Sequence, residues 1–401
     1  MPRRIFVLGL VLALSLPVTL AVVNAGVSLA TTNTFTPRSF RGVVTRDTDV
    51  CDIASPGRAG CLAIRLDARK ANGAALTKAQ TSTAYGPADI RSAYRLTVSS
   101  SATVAIVDAY DDPTAEADLK VYRRHYGLKA CTTGNGCFSK VDSSGGRNYP
   151  RKDAGWAEEI SLDIDMVSAT CPTCHILLVE AKSNSFLDLA TAVQYAGSVR
   201  GVVAISNSYG GGDSSESSAY NQPGIAITAS TGDNGYGVAS PASYPHVVAV
   251  GGTTLSRANN PRGWNESAWS GGGSGCSTLN PKPTWQLAGT RCPGKANTDV
   301  SAVADPRTGV AVYDSTPSDG WVGWMTFGGT SASSPIIASV YALSRHTSGY
   351  PASHTWGHSA FGLNDLESGN NGTCSTRVWC HSAPGWDGPT GLGSPIGISA
   401  F

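Results

Sequence analysis

The chain has 401 residues, of which 41% are hydrophobic and 15% are charged, against about 25% charged in an average soluble protein. Its 30 basic and 29 acidic residues give a formal charge of +1 at pH 7, and no basic run occurs along the sequence, so the composition argues against a nucleic-acid-binding protein. With 46 glycines and 22 prolines, the composition favours a turn-rich globular protein over a disordered one.

The first 25 residues have the pattern of an export signal. A basic start precedes an apolar run from 5 to 23, and small residues up to Ala25 offer a cleavage site. A retained membrane anchor is the alternative, but Pro17 within the run and the small residues at its end favour cleavage. We therefore predict a signal peptide over 1–25 and a secreted, extracellular protein that has no membrane association after its removal.

Ten cysteines also indicate an oxidising compartment. They fall in close sequential pairs, which suggests local disulfides: Cys51 with Cys61, Cys131 with Cys137, Cys171 with Cys174, Cys276 with Cys292, and Cys374 with Cys380. The Cys-x-x-Cys spacing of Cys171 and Cys174 also matches half of a zinc site, but no second such pair accompanies it.

Short apolar runs alternate with helical patterns through most of the chain. We predict strands at 103–108, 175–179, 201–205, 224–228 and 247–250, and helices at 157–166, 186–196 and 331–344. Pro335 is expected in the first turn of the last helix, where its missing N–H costs little. Strands alternating with helices indicate an α/β fold with a mainly parallel sheet flanked by helices on both faces. Because no interdomain linker follows residue 86, a single large domain is expected.

A Gly-Gly-Thr-Ser motif ends at Ser331, at the start of the predicted helix 331–344. The two glycines allow a tight turn and a close approach by a substrate. Ser331 would then lie at a helix N-terminus, where free N–H groups favour developing negative charge. The alternative is that Thr330, Ser331 or Ser333 only caps the helix.

A serine nucleophile needs a base, and none of the seven histidines lies in a pattern typical of a catalytic histidine. The predicted helix 157–166 instead carries Glu159 and Asp163 four residues apart, with about 5–6 Å between their Cβ atoms. Because two such close carboxylates repel, one of them holds or shares a proton and its pKa rises. The alternative is a solvated helix face, and we expect Glu158 and Asp165 on the same helix to be exposed.

A third polar group follows the predicted strand 224–228. Asp233 lies in a Ser-Thr-Gly-Asp-Asn-Gly segment, from which its side chain can point into a cleft at the strand end. A protonated aspartate there could bind the oxyanion of a tetrahedral intermediate. The alternative is ordinary turn chemistry, for which Asp-Asn-Gly is typical.

Together and in this order, the three segments resemble those of the sedolisins, the serine-carboxyl peptidase family, over about residues 84–401. The resemblance implies a subtilisin-like fold and a mechanism in which an acidic pair replaces histidine. On that basis Ser331 is the nucleophile, Glu159 the general base and acid, and Asp163 the residue that orients Glu159. Asp233 is then the oxyanion donor.

The resemblance also implies how a substrate is bound. Ser208, Tyr209 and Gly210 resemble the substrate-binding edge strand of the family, whose backbone would pair with an extended peptide. Asp108, at the end of a predicted strand, matches a position where sedolisins carry a further carboxylate. We give Asp108 a supporting role, with a simple strand-end turn residue as the alternative.

The C-terminal segment resembles the calcium site of the family. The resemblance implies one structural Ca²⁺, because two carboxylates, three backbone carbonyls and water supply about six hard oxygen ligands. The implied ligands are the side chains of Asp365 and Asp387 and the carbonyls of Leu366, Ala383 and Gly385. An Asp- and Gly-rich turn is the alternative.

These inferences predict a secreted, monomeric serine-carboxyl endopeptidase that hydrolyses polypeptides at acidic pH through an acyl-enzyme. Two alternatives stay open: a catalytically silent peptide-binding protein on the same scaffold, and a tripeptidyl exopeptidase of the same family. The peptidase domain is expected over 84–401, and the polar residues 26–83 are expected to be a short pro-segment or N-terminal arm. Sedolisins usually carry a large folded propeptide, so this short segment leaves the restraint of the activity unexplained.

Overall fold

The computed structural model describes residues 38–40, 43–70, 84–346 and 348–401. The predicted signal peptide over 1–25 lies outside these residues, and so does part of the predicted pro-segment over 26–83. The described residues all belong to one compact unit. None of the helices in these ranges is both long enough and apolar enough to cross a bilayer.

Strands and helices are numbered here in chain order. The strands are β1 (Arg38–Phe40), β2 (Val43–Asp49), β3 (Gly60–Cys61), β4 (Ile64–Lys70), β5 (Thr103–Ala109), β6 (Phe138–Asp142), β7 (His175–Ala181), β8 (Val202–Asn207), β9 (Tyr209–Gly212), β10 (Ala226–Ser230), β11 (Ala239–Ser240), β12 (Val248–Arg257), β13 (Trp264–Ala268), β14 (Cys276–Pro281), β15 (Gly294–Ala296), β16 (Val300–Val303), β17 (Val310–Ser318), β18 (Trp321–Gly328), β19 (Leu363–Asn364) and β20 (Ser394–Pro395). The α-helices are α1 (Pro87–Ala93), α2 (Ala115–His125), α3 (Ala154–Thr170), α4 (Phe186–Ser198), α5 (Thr330–Ser344) and α6 (Pro351–Gly362).

The central sheet has the strand order β13-β12-β10-β8-β5-β7-β6, and β16 also pairs with β12. Its pairs are parallel, apart from the antiparallel edge strand β13. The five predicted strands correspond to β5, β7, β8, β10 and β12, and the three predicted helices to α3, α4 and α5. The structure therefore has the predicted subtilisin-like α/β architecture.

Burial on both faces of the sheet explains the apolar runs in the sequence. Along β5, Val104 and Ile106 pack into the core that contains α3 and α5, whereas Ala105 and Val107 pack into the core that contains α4. All four side chains are fully buried. Because successive strand residues point to opposite faces, a strand covered on both sides reads as a continuous apolar run.

A second sheet lies against α3. It is antiparallel, with the order β1-β2-β4-β18-β17, so the described part of the predicted pro-segment supplies three of its strands. β4 pairs with the end of β18 at Phe327 and Gly328, immediately before α5 begins. The N-terminal arm is therefore built into the same sheet that leads to the predicted nucleophile.

This second sheet overturns one prediction about α3. Glu158 and Asp165 were expected to be exposed, but both are buried. Arg65 of β4 donates to Glu158 Oε1 at 2.6 Å, and the backbone N–H of Tyr313 in β17 donates to Asp165 Oδ2 at 3.0 Å. Because the arm and β17 cover the side of α3 away from the central sheet, this helix has no solvated face.

The five predicted disulfides are all present, and no cysteine is free. Cys171 and Cys174 are bonded to each other in the turn between α3 and β7, so they are not zinc ligands. The expected position of Pro335 is wrong. Because α5 begins at Thr330, Pro335 is its sixth residue and lies in the second turn, where it removes the amide that would donate to the Ser331 carbonyl.

Candidate active site

The predicted catalytic residues come together at the carboxyl ends of the parallel strands, where α/β proteins bind ligands. Asp108 lies near the end of β5, Ser208 follows β8, and Asp233 follows β10. α3 brings Glu159 to this edge, and the first turn of α5 brings Ser331. The sheet and two helices thus collect side chains that lie up to 223 positions apart in the sequence.

The hydroxyl of Ser331 is hydrogen-bonded to the carboxylate of Glu159. Ser331 Oγ donates to Glu159 Oε2 at 2.9 Å, and both residues are fully buried. Ser331 Oγ also lies 3.2 Å from the carbonyl oxygen of Ser208. A carboxylate at this distance can accept the proton of the hydroxyl, which is the geometry that a general base requires.

The alternative role of the Gly-Thr-Ser motif as a helix cap does not match this geometry. The N-cap of α5 is Gly329, whose φ of 88° is in the left-handed region, and none of the hydroxyls of Thr330, Ser331 and Ser333 accepts from an N–H of the first turn. Ser331 is the second residue of the helix, and its hydroxyl points to Glu159 rather than to the backbone of the first turn. The first N–H of the helix, that of Thr330, is bound by Asp233 instead.

Asp163 lies one turn beyond Glu159 on α3 and is also fully buried. Ser208 Oγ lies 2.6 Å from Asp163 Oδ1 and 3.3 Å from the carbonyl of Ser331, the group that Pro335 leaves without a helical partner. Ser208 thus connects the acidic pair to the helix of the nucleophile. The resemblance implies only a substrate-binding role for Ser208 and does not predict its contact with Asp163.

Three carboxyl groups share this buried region. Burial raises the pKa of Glu159 well above its usual value of 4.5, and the neighbouring Asp163 and Asp108 raise it further. Burial and Asp108 likewise raise the pKa of Asp163 well above 3.8, against the opposing effect of the Ser208 hydrogen bond. Burial raises the pKa of Asp108 to about 8. Since the charges repel, the three groups titrate together and retain protons at a pH where isolated carboxyls are ionised.

Asp108 has no hydrogen-bond partner for either carboxyl oxygen among the described residues, although it is fully buried. It lies within β5 rather than in a turn, so the strand-end turn alternative does not describe its position. Its effect on the pKa of both Glu159 and Asp163 fits the predicted supporting role.

Asp233 uses one carboxyl oxygen to hold the start of α5. Its Oδ1 accepts hydrogen bonds from the N–H and the hydroxyl of Thr330, at 2.8 and 2.7 Å. Its Oδ2 is buried and has no partner among the described residues. Burial raises the pKa of Asp233 to about 7, although the two bonds from Thr330 oppose the shift. A protonated Asp233 could therefore donate from Oδ2 beside Ser331.

The predicted substrate-binding strand pairs with an extended segment of this same chain. β9, which contains Tyr209 and Gly210, runs antiparallel to β3, with Cys61 opposite Tyr209 and Gly60 opposite Gly210. The next residue, Leu62, places its N–H 3.3 Å from the Ser208 carbonyl and 2.9 Å from Glu159 Oε2. The arm therefore lies directly over the predicted catalytic groups.

Sequence reasoning missed this contact for a physical reason. Residues 57–62 carry no catalytic side-chain pattern, and their contacts with the cleft are made mainly by backbone atoms. Backbone pairing leaves no specific side-chain signal. The one available hint was the Cys51–Cys61 pairing, which predicts a closed loop in the arm without indicating what the loop contacts.

The predicted calcium ligands are also close together. Asp387 is buried and accepts from the backbone N–H of Ala383 and Thr390, while the more exposed Asp365 accepts from the N–H of Gly385 at 2.7 Å. Burial raises the pKa of Asp387 to about 7, and the charge of Asp365 adds to this shift. Within the described ranges, no cluster of three or more acidic, histidine or cysteine side chains is suited to a metal ion.

The parallel sheet, the helix that presents Ser331 and the strand that pairs with an extended peptide define a subtilisin-like α/β protein. A family model described as the subtilase family matches residues 145–360. A solved structure of Pseudomonas sedolisin (serine-carboxyl proteinase), complexed with two molecules of pseudo-iodotyrostatin, superposes with a TM-score of 0.64 at 23% identity. The superposition covers 78% of this chain and 95% of that chain, and it shows the fold.

Two curated relatives are similar in sequence. Kumamolisin of Bacillus sp. (strain MN-32) is 30% identical over 380 residues, which cover 82% of this chain and 66% of kumamolisin. Sedolisin of Pseudomonas sp. (strain 101) is 35% identical over 179 residues, which cover 40% of this chain and 29% of that protein. The chain belongs to the subtilase family and, within it, to the sedolisins, as the three sequence segments predicted.

The tripeptidyl-peptidase 1 of Canis lupus familiaris is a more distant relative, 29% identical over 240 residues that cover 47% of this chain and 40% of that protein. The chain spans about two thirds of the length of kumamolisin and less than half of the length of the other relatives described here.

Proposed function

We propose that this protein is a serine-carboxyl endopeptidase that hydrolyses polypeptides at acidic pH. One observation carries the proposal: the buried Ser331 hydroxyl donates at 2.9 Å to Glu159, within a group of carboxyls whose pKa values are raised. In a peptidase without a catalytic histidine, such a carboxylate is the group that can accept the proton of the serine.

In the proposed reaction, Ser331 Oγ attacks the scissile carbonyl carbon while Glu159 takes the hydroxyl proton. Glu159 then gives this proton to the leaving amine, and water hydrolyses the resulting acyl-enzyme by the same steps in reverse order. Asp163 and Asp108 act on the proton affinity of Glu159, since both raise its pKa. Ser208 supports Asp163 through the contact at 2.6 Å.

The developing oxyanion is assigned to Asp233. Its Oδ1 is fixed by Thr330 and its Oδ2 is free to donate when the carboxyl is protonated. A donor fixed before the reaction stabilises the charge that develops in the transition state, and it need not reorganise during the step. The positive end of the α5 dipole lies in the same region, since Ser331 is in the first turn of the helix, and it favours the same negative charge.

This division of roles predicts the pH range of the activity. The cluster of Glu159, Asp163 and Asp108 must carry a negative charge so that Glu159 can act as a base, whereas Asp233 must keep its proton to donate. Because the pKa of Asp233 is raised to about 7, the activity should fall as the pH rises above that value. This value sets the upper limit of the range, and the acidic optimum within it is proposed from the resemblance to the sedolisins; full activity at pH 8 without activity at pH 4 would contradict it.

The course of the bound arm favours an endopeptidase over the tripeptidyl exopeptidase. Residues 57–62 follow the cleft for six positions before the chain passes Ser331. The N–H of Phe186 donates to the Gly57 carbonyl, and Asn184 exchanges two hydrogen bonds with Ala59. The cleft therefore accepts more than three residues on the N-terminal side of the reacting carbonyl, so internal peptide bonds can reach the serine.

A digest of a peptide library tests the function. Purified protein should cleave internal bonds at about pH 4, including those of peptides with blocked N-termini, and the Ser331→Ala variant should cleave none while keeping the wild-type circular dichroism spectrum. Release of N-terminal tripeptides only from unblocked peptides would indicate the exopeptidase instead. Failure of both the wild type and the Cys51→Ser variant, whose arm is not tethered by a disulfide, to cleave any peptide in the library would contradict the proposal.

We also infer that the C-terminal carboxylates hold one Ca²⁺. Besides burial, the charge of Asp365 raises the pKa of Asp387, a divalent cation would offset this repulsion, and hard oxygen donors suit calcium. None of the described residues donates a hydrogen bond to the carbonyls of Leu366, Ala383 and Gly385, so these oxygens are available as ligands. Calcium there would supply structural stability, since the site lies apart from the serine.

Secretion is proposed from the signal pattern over 1–25 together with the five disulfides, which persist in oxidising compartments. We assign 84–401 to the peptidase domain and 26–83 to an N-terminal arm. Polypeptides are the proposed partners, and the protein is proposed to act as a monomer.

A further inference from the structure

The segment over the cleft occupies it in the manner of a substrate. The arm turns at Gly57 and is extended from Arg58 to Leu62, and residues 57–62 make backbone hydrogen bonds to Phe186, Asn184, the strand β9 and Ser208. Two glycines of the cleft provide the necessary space. A Cβ atom on Gly211 would lie 2.7 Å from the Arg58 carbonyl oxygen, and one on Gly329 would lie 1.9 Å from the Leu62 carbonyl oxygen.

The position of Leu62 identifies the bond that faces the nucleophile. Its N–H contacts Glu159 Oε2, the same oxygen that accepts from Ser331. Its carbonyl oxygen is a neighbour of Asp233 Oδ2, because a Cβ atom on Gly329 would lie 1.9 Å from the first and 2.7 Å from the second. Leu62 therefore presents its carbonyl between the serine and the proposed oxyanion donor, and the bond between Leu62 and Ala63 is the one at risk.

The strand β2 and the residues just after it hold the chain on both sides of the Leu62–Ala63 bond. On one side, Cys61 is joined by a disulfide to Cys51, which follows the end of β2. On the other side, Ala63 leads directly into β4, which pairs with β2 over seven residues. The N–H of Val50 also donates to the Ala63 carbonyl at 3.3 Å.

We propose that the Cys51–Cys61 disulfide clamps residues 57–62 in the cleft, so that this strand still inhibits the enzyme after the Leu62–Ala63 bond has been cut. The proposal rests on the peptidase function proposed above. Without the clamp, thirteen residues of chain, 50–62, would connect β2 to the new end at Leu62; with it, one disulfide holds the neighbouring Cys61 in place.

The covalent step follows from the proposed mechanism. Ser331 Oγ attacks the Leu62 carbonyl carbon, and its proton passes through Glu159 to the nitrogen of Ala63 as the peptide bond breaks. Water then hydrolyses the ester, which gives a carboxyl group at Leu62 and restores the serine hydroxyl. Because the clamp and β4 keep the acyl carbon and the Ala63 amine together, the amine can also attack the ester and remake the peptide bond.

The first experiment maps the cleavage. The full chain is incubated at about pH 4, and its termini are identified by peptide mass mapping before and after separation under denaturing conditions. New termini at Leu62 and Ala63 are expected in the wild type but not in the Ser331→Ala variant, with both pieces eluting together in a native sizing column. A first cut at another bond, or separation of the pieces without denaturant, would overturn the proposal.

The second experiment opens the clamp without changing the residues in the cleft. Cys51→Ser leaves residues 57–62 intact, and Cys131→Ser, which opens the disulfide with Cys137 at the far edge strand β6, is the matched control. A longer tether lowers the effective concentration of the inhibiting end. We therefore expect Cys51→Ser to raise turnover of a quenched peptide by about tenfold or more after cleavage, and Cys131→Ser to match the wild type. Equal turnover in all three proteins would overturn the clamp.

A third measurement does not depend on catalysis. The probe is a fluorescein-labelled peptide that copies residues 57–64 with serine in place of the cysteine, and its binding is followed by polarisation in the Ser331→Ala background. Adding Leu62→Asp places a carboxyl beside Glu159 and should expose the cleft, so that the probe binds at least about tenfold more tightly. Leu279→Asp, at an exposed position, is the control and should not improve binding.

These readouts separate two kinds of failure. If no variant cleaves any peptide but Leu62→Asp still gains binding of the probe, the peptidase function and the self-cleavage fail, while the strand remains an inhibitor of the cleft. If the probe binds Ser331→Ala as tightly with Leu62 as with aspartate, the strand does not block the cleft and the inference fails, whatever the turnover.

Discussion

Replacing Asp233 with asparagine separates the two roles of this carboxyl. Oδ1 accepts from the N–H and hydroxyl of Thr330, and the amide oxygen of asparagine can accept both bonds. Oδ2 can donate only while Asp233 is protonated, whereas the amide NH₂ of asparagine donates at every pH. We therefore expect Asp233→Asn to keep cleavage at acidic pH and to lose the fall in kcat/KM that ionisation causes above pH about 7 in the wild type.

The matching Asp233→Ala variant sets the magnitude. Removing a donor to the oxyanion costs about 10²–10³ in kcat, or about 3–4 kcal/mol of transition-state stabilisation. Alanine also leaves the two donor groups of Thr330 without their acceptor, which costs about 1–3 kcal/mol of stability for a buried group. Thr330→Val is the control for this second effect, since it removes one of these hydrogen bonds and leaves the oxyanion donor in place.

The assay is kcat/KM for an internally quenched peptide from about pH 3 to about pH 9, after each protein has been held at about pH 4 until its activity is constant. Circular dichroism at each pH shows whether the variants are folded. If Asp233→Asn is as inactive as Asp233→Ala at acidic pH, or if it loses activity above pH 7 along the wild-type curve, Asp233 is not a neutral hydrogen-bond donor to the oxyanion.

Further predictions concern stability. The pKa of Asp108 is raised from 3.8 to about 8, so its contribution to stability is fully present below pH about 4 and is lost as the pH rises to about 8. The free energy of unfolding should fall over this range with a slope of up to about 1.4 kcal/mol per pH unit, and Asp108→Asn should reduce the slope; an unchanged slope in urea unfolding at several pH values would contradict the assignment. Arg65→Met leaves the buried Glu158 without its partner at 2.6 Å and should cost about 3 kcal/mol in urea unfolding, most of which Glu158→Gln in the same chain should restore; a loss below 1 kcal/mol would show that the pair is dispensable. Chelation of calcium should lower the melting temperature of the wild type by several degrees but not that of Asp387→Asn, and equal shifts in both proteins would refute the proposed calcium site.

Local spacing predicted the acidic pair and the serine. Glu159 and Asp163 share a helix face because helical residues four positions apart are neighbours, whatever the surroundings. Ser331 begins a helix because glycines precede it and an apolar run follows. These features depend on residues within a few positions of each other, so the sequence was sufficient to predict them.

The errors concern contacts between distant segments. Glu158 and Asp165 read as solvated acids, but β4 and β17 cover them, and no pattern on the helix itself indicates which strands lie outside it. The polar arm carries no catalytic side-chain pattern, yet its backbone fills the cleft at Leu62. Burial by a remote strand and pairing through backbone atoms leave little trace in side-chain patterns, so the structure was needed to find them.

A crystal structure at about pH 4 with a peptide aldehyde bound to the processed Cys51→Ser variant, whose arm is no longer clamped in the cleft, tests the central claim most directly, because an aldehyde adds to the nucleophile and leaves a tetrahedral oxygen. We predict a covalent bond from Ser331 Oγ to the aldehyde carbon, Glu159 within hydrogen-bond distance of Ser331 Oγ, and the new oxygen within hydrogen-bond distance of Asp233. An adduct on another residue, or a tetrahedral oxygen that points away from Asp233, would contradict the account.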